Sequence, residues 1–465
     1  MALRFFNTLT RNKEEFYTIH PGEVRMYTCG PTVYDFAHIG NFRAYIFGDI
    51  LHRYLVYKGY RVTYVMNITD VDDKTISGSQ KEGITLNEYT KRYRDAFFDD
   101  LKSLNIKPAQ IYPEATAHIK EMVELIKTLL TKGYAYANEG STYYRIESFS
   151  PYGKLSHMDK SGLKAGARVA SDEYEKEQVA DFALWKGWDE KDGEVFWETE
   201  VGKGRPGWHI ECSAMSMKYL GSHFDIHTGG VDLIFPHHEN EIAQSEAATE
   251  EKFVNFWLHN EYLMVEGRKM AKSLGNFYTL RDLLQKGYHP ISIRYLLLST
   301  HYRQQVNFTF DGLEAAKNAL KRLYDFTDNL KLVKEKKDNP EIVLILKKAT
   351  TDFEAAMDDD LNTSEALGVL FTLVKDINRL MDEKKISPSD SKQVLETIHK
   401  FDSVLGLLKR EELILDDEVK SLIEKRIAAR KAKDFKLADQ IRKDLEERGI
   451  VLEDTSDGTK WKRKM

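Results

Sequence analysis

Tyr27-Thr-Cys-Gly-Pro-Thr-Val-Tyr-Asp-Phe-Ala-His-Ile-Gly-Asn41 is the stretch on which the reading of this chain turns. Before it, Val24 to Tyr27 has the alternating texture of a strand; after it, Phe42 to Tyr57 repeats apolar residues at helical spacing. A strand, a Gly-containing turn and a helix in that order form the front of a nucleotide-binding α/β unit. The first turn of such a helix offers unpaired N–H groups and a positive dipole end to phosphate. Gly40 permits close backbone approach, and His38 and Asn41 can donate hydrogen bonds to a phosphate oxygen. Cys29, at the end of the strand, faces the same crevice, so thiol or metal chemistry is expected beside the nucleotide.

Outward from there, Arg61 to Asn67 reads as a second strand, and Thr69 to Lys74 as a polar loop at its carboxyl end, where open parallel sheets bind ligands. Leu86–Leu104 and Ala115–Lys132 read as scaffold helices. From Tyr134 to Glu200, short Tyr/Val/Trp-rich runs alternate with Gly turns, the texture of an inserted β-containing module. The parallel-sheet pattern resumes after Gly207. Helix Trp208–Leu220, strand Phe224–Thr228 ending in Gly229-Gly230, helix Pro236–Ala248 and a strand-like run Val254–Met264 follow. Beyond residue 310, Leu313–Leu332, Pro340–Met357, Thr363–Met381 and Ser389–Leu408 read as a helix bundle. Asp416–Met465 reads as two charged helices and a basic end, Lys460 to Lys464.

A chain of 465 residues exceeds the roughly 100–200 of a single domain, so several are expected. No run of about 18 apolar residues points to a membrane span. The first residues lack the pattern of a secretory signal, and two cysteines cannot build a disulfide framework, so a cytoplasmic location is expected. A net charge of −6 argues against a globally basic nucleic-acid binder but leaves room for a local basic face.

Three constellations carry chemistry. Cys212 lies on the Trp208 helix, while His237 and Glu241 share one face of the next at i,i+4 spacing. Thiolate, imidazole and carboxylate ligands suit Zn²⁺. On spacing alone His238 serves as well as His237, and the plainer reading makes both cysteines small buried hydrophobes. The second is the loop Glu266-Gly-Arg-Lys-Met-Ala-Lys-Ser-Leu-Gly-Asn276, whose Lys269 and Lys272 can swing onto a triphosphate. By itself it reads as a solvated basic loop; beside the His38–Asn41 turn the catalytic reading prevails. The third is the tail, where Lys425, Arg426, Arg430, Lys431, Lys433 and Lys436 could track phosphates and Trp461 could stack on an unpaired base. Interleaved Asp434, Asp439, Asp444, Glu446 and Glu447 equally fit a solvated helix pair.

These residues carry a resemblance. His38-Ile-Gly-Asn41 is similar to the HIGH signature of class I aminoacyl-tRNA synthetases, and Lys269-Met-Ala-Lys-Ser273 to their KMSKS loop. Within that class, Cys29 to Asp35, Trp208 to Ser213, His227 to Leu233 and Pro236 to Glu241 resemble cysteinyl-tRNA synthetases. So do Arg426 to Arg430, Lys433 to Arg442 and Gly449 to Thr455, which extends the resemblance over essentially the whole chain.

The resemblance implies an α/β fold whose Rossmann-like catalytic domain is split between residues 1–118 and 205–264. A connective domain is inserted at 119–204. A lysine-loop junction spans 265–310, an all-α bundle 311–410 and a small anticodon-recognition region 411–465. It implies one Zn²⁺ held by Cys29, Cys212, His237 and Glu241, leaving His238 outside the ligand set. Gly30, Thr32, His38, Gly40, Asn41 and Lys272 would bind ATP, which Mg²⁺ would accompany, and His38, Asn41, Lys269 and Lys272 would stabilise charge during catalysis. Thr69, Trp208, His227 and Asp232 would shape the amino-acid and adenosine pockets. The implied partners are tRNA(Cys), ATP and L-cysteine, and a monomer is expected. In the family the substrate thiolate binds zinc directly, a bond that serine cannot replace, so no editing site is required.

Two departures stand out. Ala271 replaces the Ser common in the lysine loop, and Thr75-Ile76-Ser77 follows Lys74 where some relatives carry a second lysine, which puts any persulfide-forming side activity in doubt. Two other functions compete: a ligase joining cysteine to a small amine, as in mycothiol-pathway relatives, and an inert RNA-binding or zinc-structural protein. The helical region and basic tail argue against the first; intact His38, Asn41, Lys269 and Lys272 argue against the second.

Overall fold

The computed structural model describes residues 2–158, 168–169, 181–335, 337–409, 417–432, 434–447, 450–455 and 458–463. In chain order, a hairpin of β1 (Arg4–Asn7) and β2 (Asn12–Glu15) leads to β3 (Glu23–Thr28), α1 (Ile39–Tyr57), β4 (Arg61–Met66), α2 (Asp73–Glu82) and α3 (Leu86–Ser103). Then come α4 (Ile119–Thr131), β5 (Ala135–Asn138), β6 (Ser141–Tyr144), β7 (Arg168–Val169), β8 (Asp181–Gly187), β9 (Trp197–Thr199) and β10 (Gly202–Pro206). The main sheet resumes with α5 (Trp208–Leu220), β11 (Phe224–Gly230), α6 (Glu239–Thr249) and β12 (Val254–Asn260).

The strand order of this sheet is β12-β11-β3-β4, all parallel, with Tyr27 beside His227 and Val65. The carboxyl ends of β3 and β11, on adjacent strands, therefore open at one edge, where open α/β sheets hold ligands. The inserted module is a sheet of order β5-β6-β8-β10-β9, antiparallel throughout that path, with β7 lying parallel against β8. The expected single run Val254–Met264 divides: it turns out of the main sheet after Asn260, and β13 (Leu263–Val265) joins β14 (Arg268–Lys269) and β15 (Val306–Phe308) in a separate sheet. The expected helix from Pro236 is entered through a π-type turn, Ile234–His238, with Phe235 extended. Thr69–Lys74, expected as loop, runs into α2, capped by Asp72, whose carboxylate accepts from Thr75 N–H.

Short helices α7 (Leu280–Gln285) and α8 (Pro290–Leu298) lead to the bundle α9 (Phe310–Leu330), α10 (Glu341–Asp358), α11 (Thr363–Asp382) and α12 (Pro388–Leu405). The tail forms α13 (Asp417–Lys431) and α14 (Phe435–Glu447), and its basic end is strand, β16 (Ile450–Thr455) paired antiparallel with β17 (Gly458–Arg463). Lys433, Gly449 and Lys464, and the side chains of Lys431, Lys460, Trp461, Lys462 and Arg463, lie outside the described residues. No described helix is long and apolar enough to cross a membrane.

One apolar core joins the main sheet, α1, α8 and the bundle; a second joins α4, α5, α6 and the inserted sheet and contains both cysteines. The tail packs on its own small core of Ile423, Ile441, Leu445 and Leu452. Within the first core, a buried charge cluster ties α1 and α8 to the end of α12. Arg294 of α8 donates to Asp49 Oδ2 at 2.5 Å, to the Leu405 carbonyl at 2.8 Å and to the Leu104 carbonyl at 3.2 Å. Arg53 donates to the same carboxylate at 2.8 Å. Gly406, at φ +65°, closes over Arg294, and an added Cβ would lie 3.0 Å from its guanidinium. Removing one partner of such a cluster leaves charge uncompensated away from water. Asp49→Ala is therefore expected to destabilise the first urea unfolding transition by about 3–5 kcal/mol; a change below about 1 kcal/mol would show the arginines to be satisfied by carbonyls alone.

Candidate active site and metal centre

Cys29 follows directly on β3, its N–H donating to the Thr228 carbonyl of β11 at 3.3 Å. Helices α5 and α6 pack side by side and supply Cys212 and Glu241, and the π-type turn that enters α6 supplies His237. Cys29 Sγ lies 4.0 Å from Cys212 Sγ and 3.9 Å from Glu241 Oε1, and His237 Nε2 lies 3.1 Å from Glu241 Oε1. The four ligand atoms lie within 4.8 Å of one another, all from buried residues. A tetrahedral ion with metal–sulfur and metal–nitrogen bonds of about 2.3 and 2.0 Å places its ligands about 3.3–3.8 Å apart. The 3.1, 3.9 and 4.0 Å separations lie just outside that range on either side, within a few tenths of an ångström of it.

The electrostatics point the same way. Burial pushes both thiols up; the charge of Cys212 adds to the effect at Cys29, and that of Glu241 adds at both. Burial raises Glu241 to about 7 and lowers His237 to about 3. His237 Nε2 is buried without a hydrogen bond, close beside a carboxylate oxygen, as two ligands of one ion stand. A dication reverses the shifts of the thiols and Glu241 and reinforces that of His237, because it favours thiolate, carboxylate and neutral imidazole together. The donor set fits Zn²⁺ in charge, softness and spacing.

A second set, Cys29, His227, His238 and Glu241, also meets within 4.8 Å, so proximity keeps open the choice that spacing left. His238 Nε2 stands 3.3 Å from Cys29 Sγ, but its Nδ1 is paired with His259 Nε2 at 2.8 Å, and His259 Nδ1 with Thr8 Oγ1 at 2.7 Å. His237 Nδ1 is likewise paired, with His209 Nδ1 at 2.9 Å. His209 was not singled out in the sequence; its place beside Trp208 was the one available signal.

Over the cluster lies a cavity of about 640 Å³. Cys29 is 8% exposed to it, whereas Cys212, His237 and Glu241 are at most 1% exposed, so the cluster is reached from the Cys29 side. Gly30, Thr32, His38, Gly40 and Asn41 line one wall; Trp208, Asp232 and Lys269 also face it. The Trp208 ring stacks on His237 at 4.2 Å. Thr69 and His227 are not among the lining residues. The Thr69 hydroxyl donates to Glu211 at 2.9 Å, and His227 Nε2 pairs with Glu241 Oε2 at 3.0 Å, stacked on Trp257. Both stand behind the wall, each held to a fully buried carboxylate that does not line the cavity either. Gly30 has a steric reason to be glycine: an added Cβ would fall 1.7 Å from the Asn67 carbonyl oxygen.

His38 caps α1. Its Nδ1 accepts from Asn41 N–H at 3.2 Å, while Asn41 Oδ1 accepts from His38 N–H at 3.0 Å. That arrangement leaves the His38 proton on Nε2, a neutral donor. The lysine loop closes against this turn: Ile39 N–H donates to the Tyr278 carbonyl at 3.0 Å, and Phe277 packs edge-on against His38 at 5.2 Å. Lys272 pairs with Asp35 at 2.8 Å.

The parallel sheet, the capped His-Ile-Gly-Asn turn and the lysine loop folded against it together define a class I aminoacyl-tRNA synthetase. The Mycobacterium tuberculosis methionyl-tRNA synthetase in complex with methionyl-adenylate shares the fold, with a TM-score of 0.59 over 83% of this chain and 90% of that one at 14% identity. The family described as tRNA synthetases class I (C) catalytic domain matches residues 15–318, the DALR domain 352–409, and the cysteinyl-tRNA ligase anticodon binding domain 414–461. The cysteine–tRNA ligase of Brachyspira hyodysenteriae is 52% identical over 99% of both chains, and that of Protochlamydia amoebophila 52% over 100% of this chain and 98% of its own. The chain belongs to the cysteinyl-tRNA synthetase family.

Two outcomes are expected. Cys212→Ser should lose bound zinc in metal analysis after gel filtration, while His238→Asn retains it; zinc retained in the Cys212 variant would move the ion to the other ligand set. Burial, and then the charge of Lys272, lowers His38 from its ordinary 6.5 to about 4. The unfolded chain therefore binds this proton first, and the His38 contribution to stability, present above pH 6.5, is lost as pH falls towards 4. NMR titration should find the His38 imidazole neutral from pH 8 to 5.5; an inflection near 6.5 would contradict the buried cap.

Proposed function

We infer that this chain, a cysteine–tRNA ligase by its family, activates L-cysteine with ATP and transfers it to the terminal ribose of tRNA(Cys), choosing its amino acid by sulfur. The observation that carries the reading is the buried Cys29–Cys212–His237–Glu241 cluster at the floor of a cleft walled by the His38 turn. Zinc held by these four residues would supply a soft Lewis acid that binds the substrate thiolate, a bond unavailable to a serine hydroxyl. We assign the ligands to this set rather than the one with His238 because it brings two thiols to one thiophilic ion. Trp208, stacked on His237, closes the cleft beside the cysteine side chain, and Asp232 is suited to the substrate ammonium.

His38 Nε2–H and the Asn41 amide donate to the phosphates of ATP, Thr32 faces them from the same wall, and the glycines Gly30 and Gly40 keep the approach open. The substrate carboxylate attacks the α-phosphorus, pyrophosphate leaves, and Lys269 and Lys272 stabilise the charge that develops on it, with Mg²⁺ accompanying the nucleotide. No side-chain nucleophile is needed; position and charge suffice. The halves 1–118 and 205–264 carry this chemistry, 119–204 and 311–410 position the acceptor end and body of the tRNA, 265–310 carries the lysine loop, and 411–465 reads the anticodon.

Cysteine-dependent ATP–pyrophosphate exchange and tRNA charging test the reading together. Deleting residues 416–465 should leave exchange within about twofold of the whole chain, because the tail has its own core, while charging falls by an order of magnitude or more. Equal loss of both would contradict this division, and exchange with serine approaching that with cysteine would contradict selection by sulfur.

A further inference from the structure

The two loop lysines are placed differently. Lys269 lines the cavity and makes no ion pair among the described residues; Lys272 is not among the lining residues. Its Nζ is held instead at 2.8 Å by Asp35 Oδ2, over the Phe277 ring at 5.0 Å. The Asp35 carboxylate is oriented from its own side, where Phe36 N–H donates to Oδ1 at 2.8 Å. Asp35 itself lines the cavity. Within the loop, Ala271 N–H donates to Asn276 Oδ1 and the Asn276 amide to the Lys269 carbonyl. The Lys272 and Asp35 side chains are 66% and 37% exposed, so their contact is weak and readily exchanged. A triphosphate carries several charges where Asp35 carries one, and it attracts the same ammonium more strongly.

We propose that Asp35 is a positioning residue for the lysine loop: it holds Lys272 at the lip of the cleft, gives it up to the phosphates of ATP, and takes it back as pyrophosphate departs. The proposal rests on Lys272 binding phosphate, as inferred above. While Asp35 holds the lysine, only part of the population is ready to clasp the nucleotide, and apparent affinity is reduced by that fraction. The resting contact thus trades ATP affinity for easier release of pyrophosphate.

The test is ATP–pyrophosphate exchange with the full chain, with inhibition by added pyrophosphate measured alongside. Asp35→Asn is expected to lower the KM for ATP and the inhibition constant for pyrophosphate about two- to fivefold, the range of an exposed ion pair, with the KM for cysteine unchanged. Asp35→Glu, which keeps the carboxylate, should restore both. In a Lys272→Met background, itself weakened toward ATP, Asp35→Asn should add nothing. A raised KM for ATP with a higher Mg²⁺ requirement in Asp35→Asn would make Asp35 a ligand of the nucleotide's metal and overturn the proposal. An undiminished effect in the Lys272→Met background would overturn it while sparing the role of the lysine. Unaltered ATP kinetics in Lys272→Met alone would overturn both.

Discussion

Everything around the cleft answers to one electrostatic constraint: two thiols, a carboxylate and several imidazoles are buried together, with only Cys29 of the four proposed ligands touching the cavity. Charge is costly in such a place unless an opposite charge accompanies it. Burial, the largest cause at each group, therefore drives the thiols and Glu241 up and the histidines down, toward neutrality. A thiophilic dication converts the same enclosure from a penalty into a binding site. The surrounding shell is arranged to hold the donors still. His209 pairs with His237, His227 holds Glu241, and Trp208 and Trp257 stack against the imidazoles. Interactions of this kind fix ring orientation at metal sites.

The His38 side of the cleft follows a second logic, that of the helix terminus. The His38–Asn41 capping box satisfies backbone groups at the start of α1 while fixing which nitrogen of His38 carries the proton. The lysine loop, more than two hundred residues away in the chain, is docked on this turn through Tyr278 and Phe277. Cavity-lining groups from distant parts of the chain, His38 and Asn41 with Lys269 and Phe277, are thereby brought together. The bundle is tied to the same scaffold by Arg294 and Asp49, which link α1, α8 and the end of α12. The tail packs on a core of its own.

Much of this was legible in the chain. Period-2 and period-3.6 patterns located the main strands and helices to within a few residues, since half-buried elements must repeat at those intervals. The exceptions have physical causes. Val254–Met264 is apolar throughout, and nothing in its pattern marks the point after Asn260 where it leaves one sheet for another. The hairpin of β16 and β17 was hidden by its charge, because a small two-stranded unit buries little and needs little apolar alternation.

By itself, the sequence determined the family, the order of the elements and the residue types that chemistry would draw on, because signature turns and hydrophobic periods are local properties. Only the tertiary structure decided which of those residues meet. It set the two sulfurs 4.0 Å apart across 183 residues, brought His238 near enough to rival His237, and withdrew Thr69 and His227 behind the wall they had been expected to form. It also paired Lys272 with Asp35. The reason lies in the parallel sheet: its register puts the ends of β3 and β11 side by side, and which side chains face the crevice depends on strand direction and helix packing, which no local pattern records.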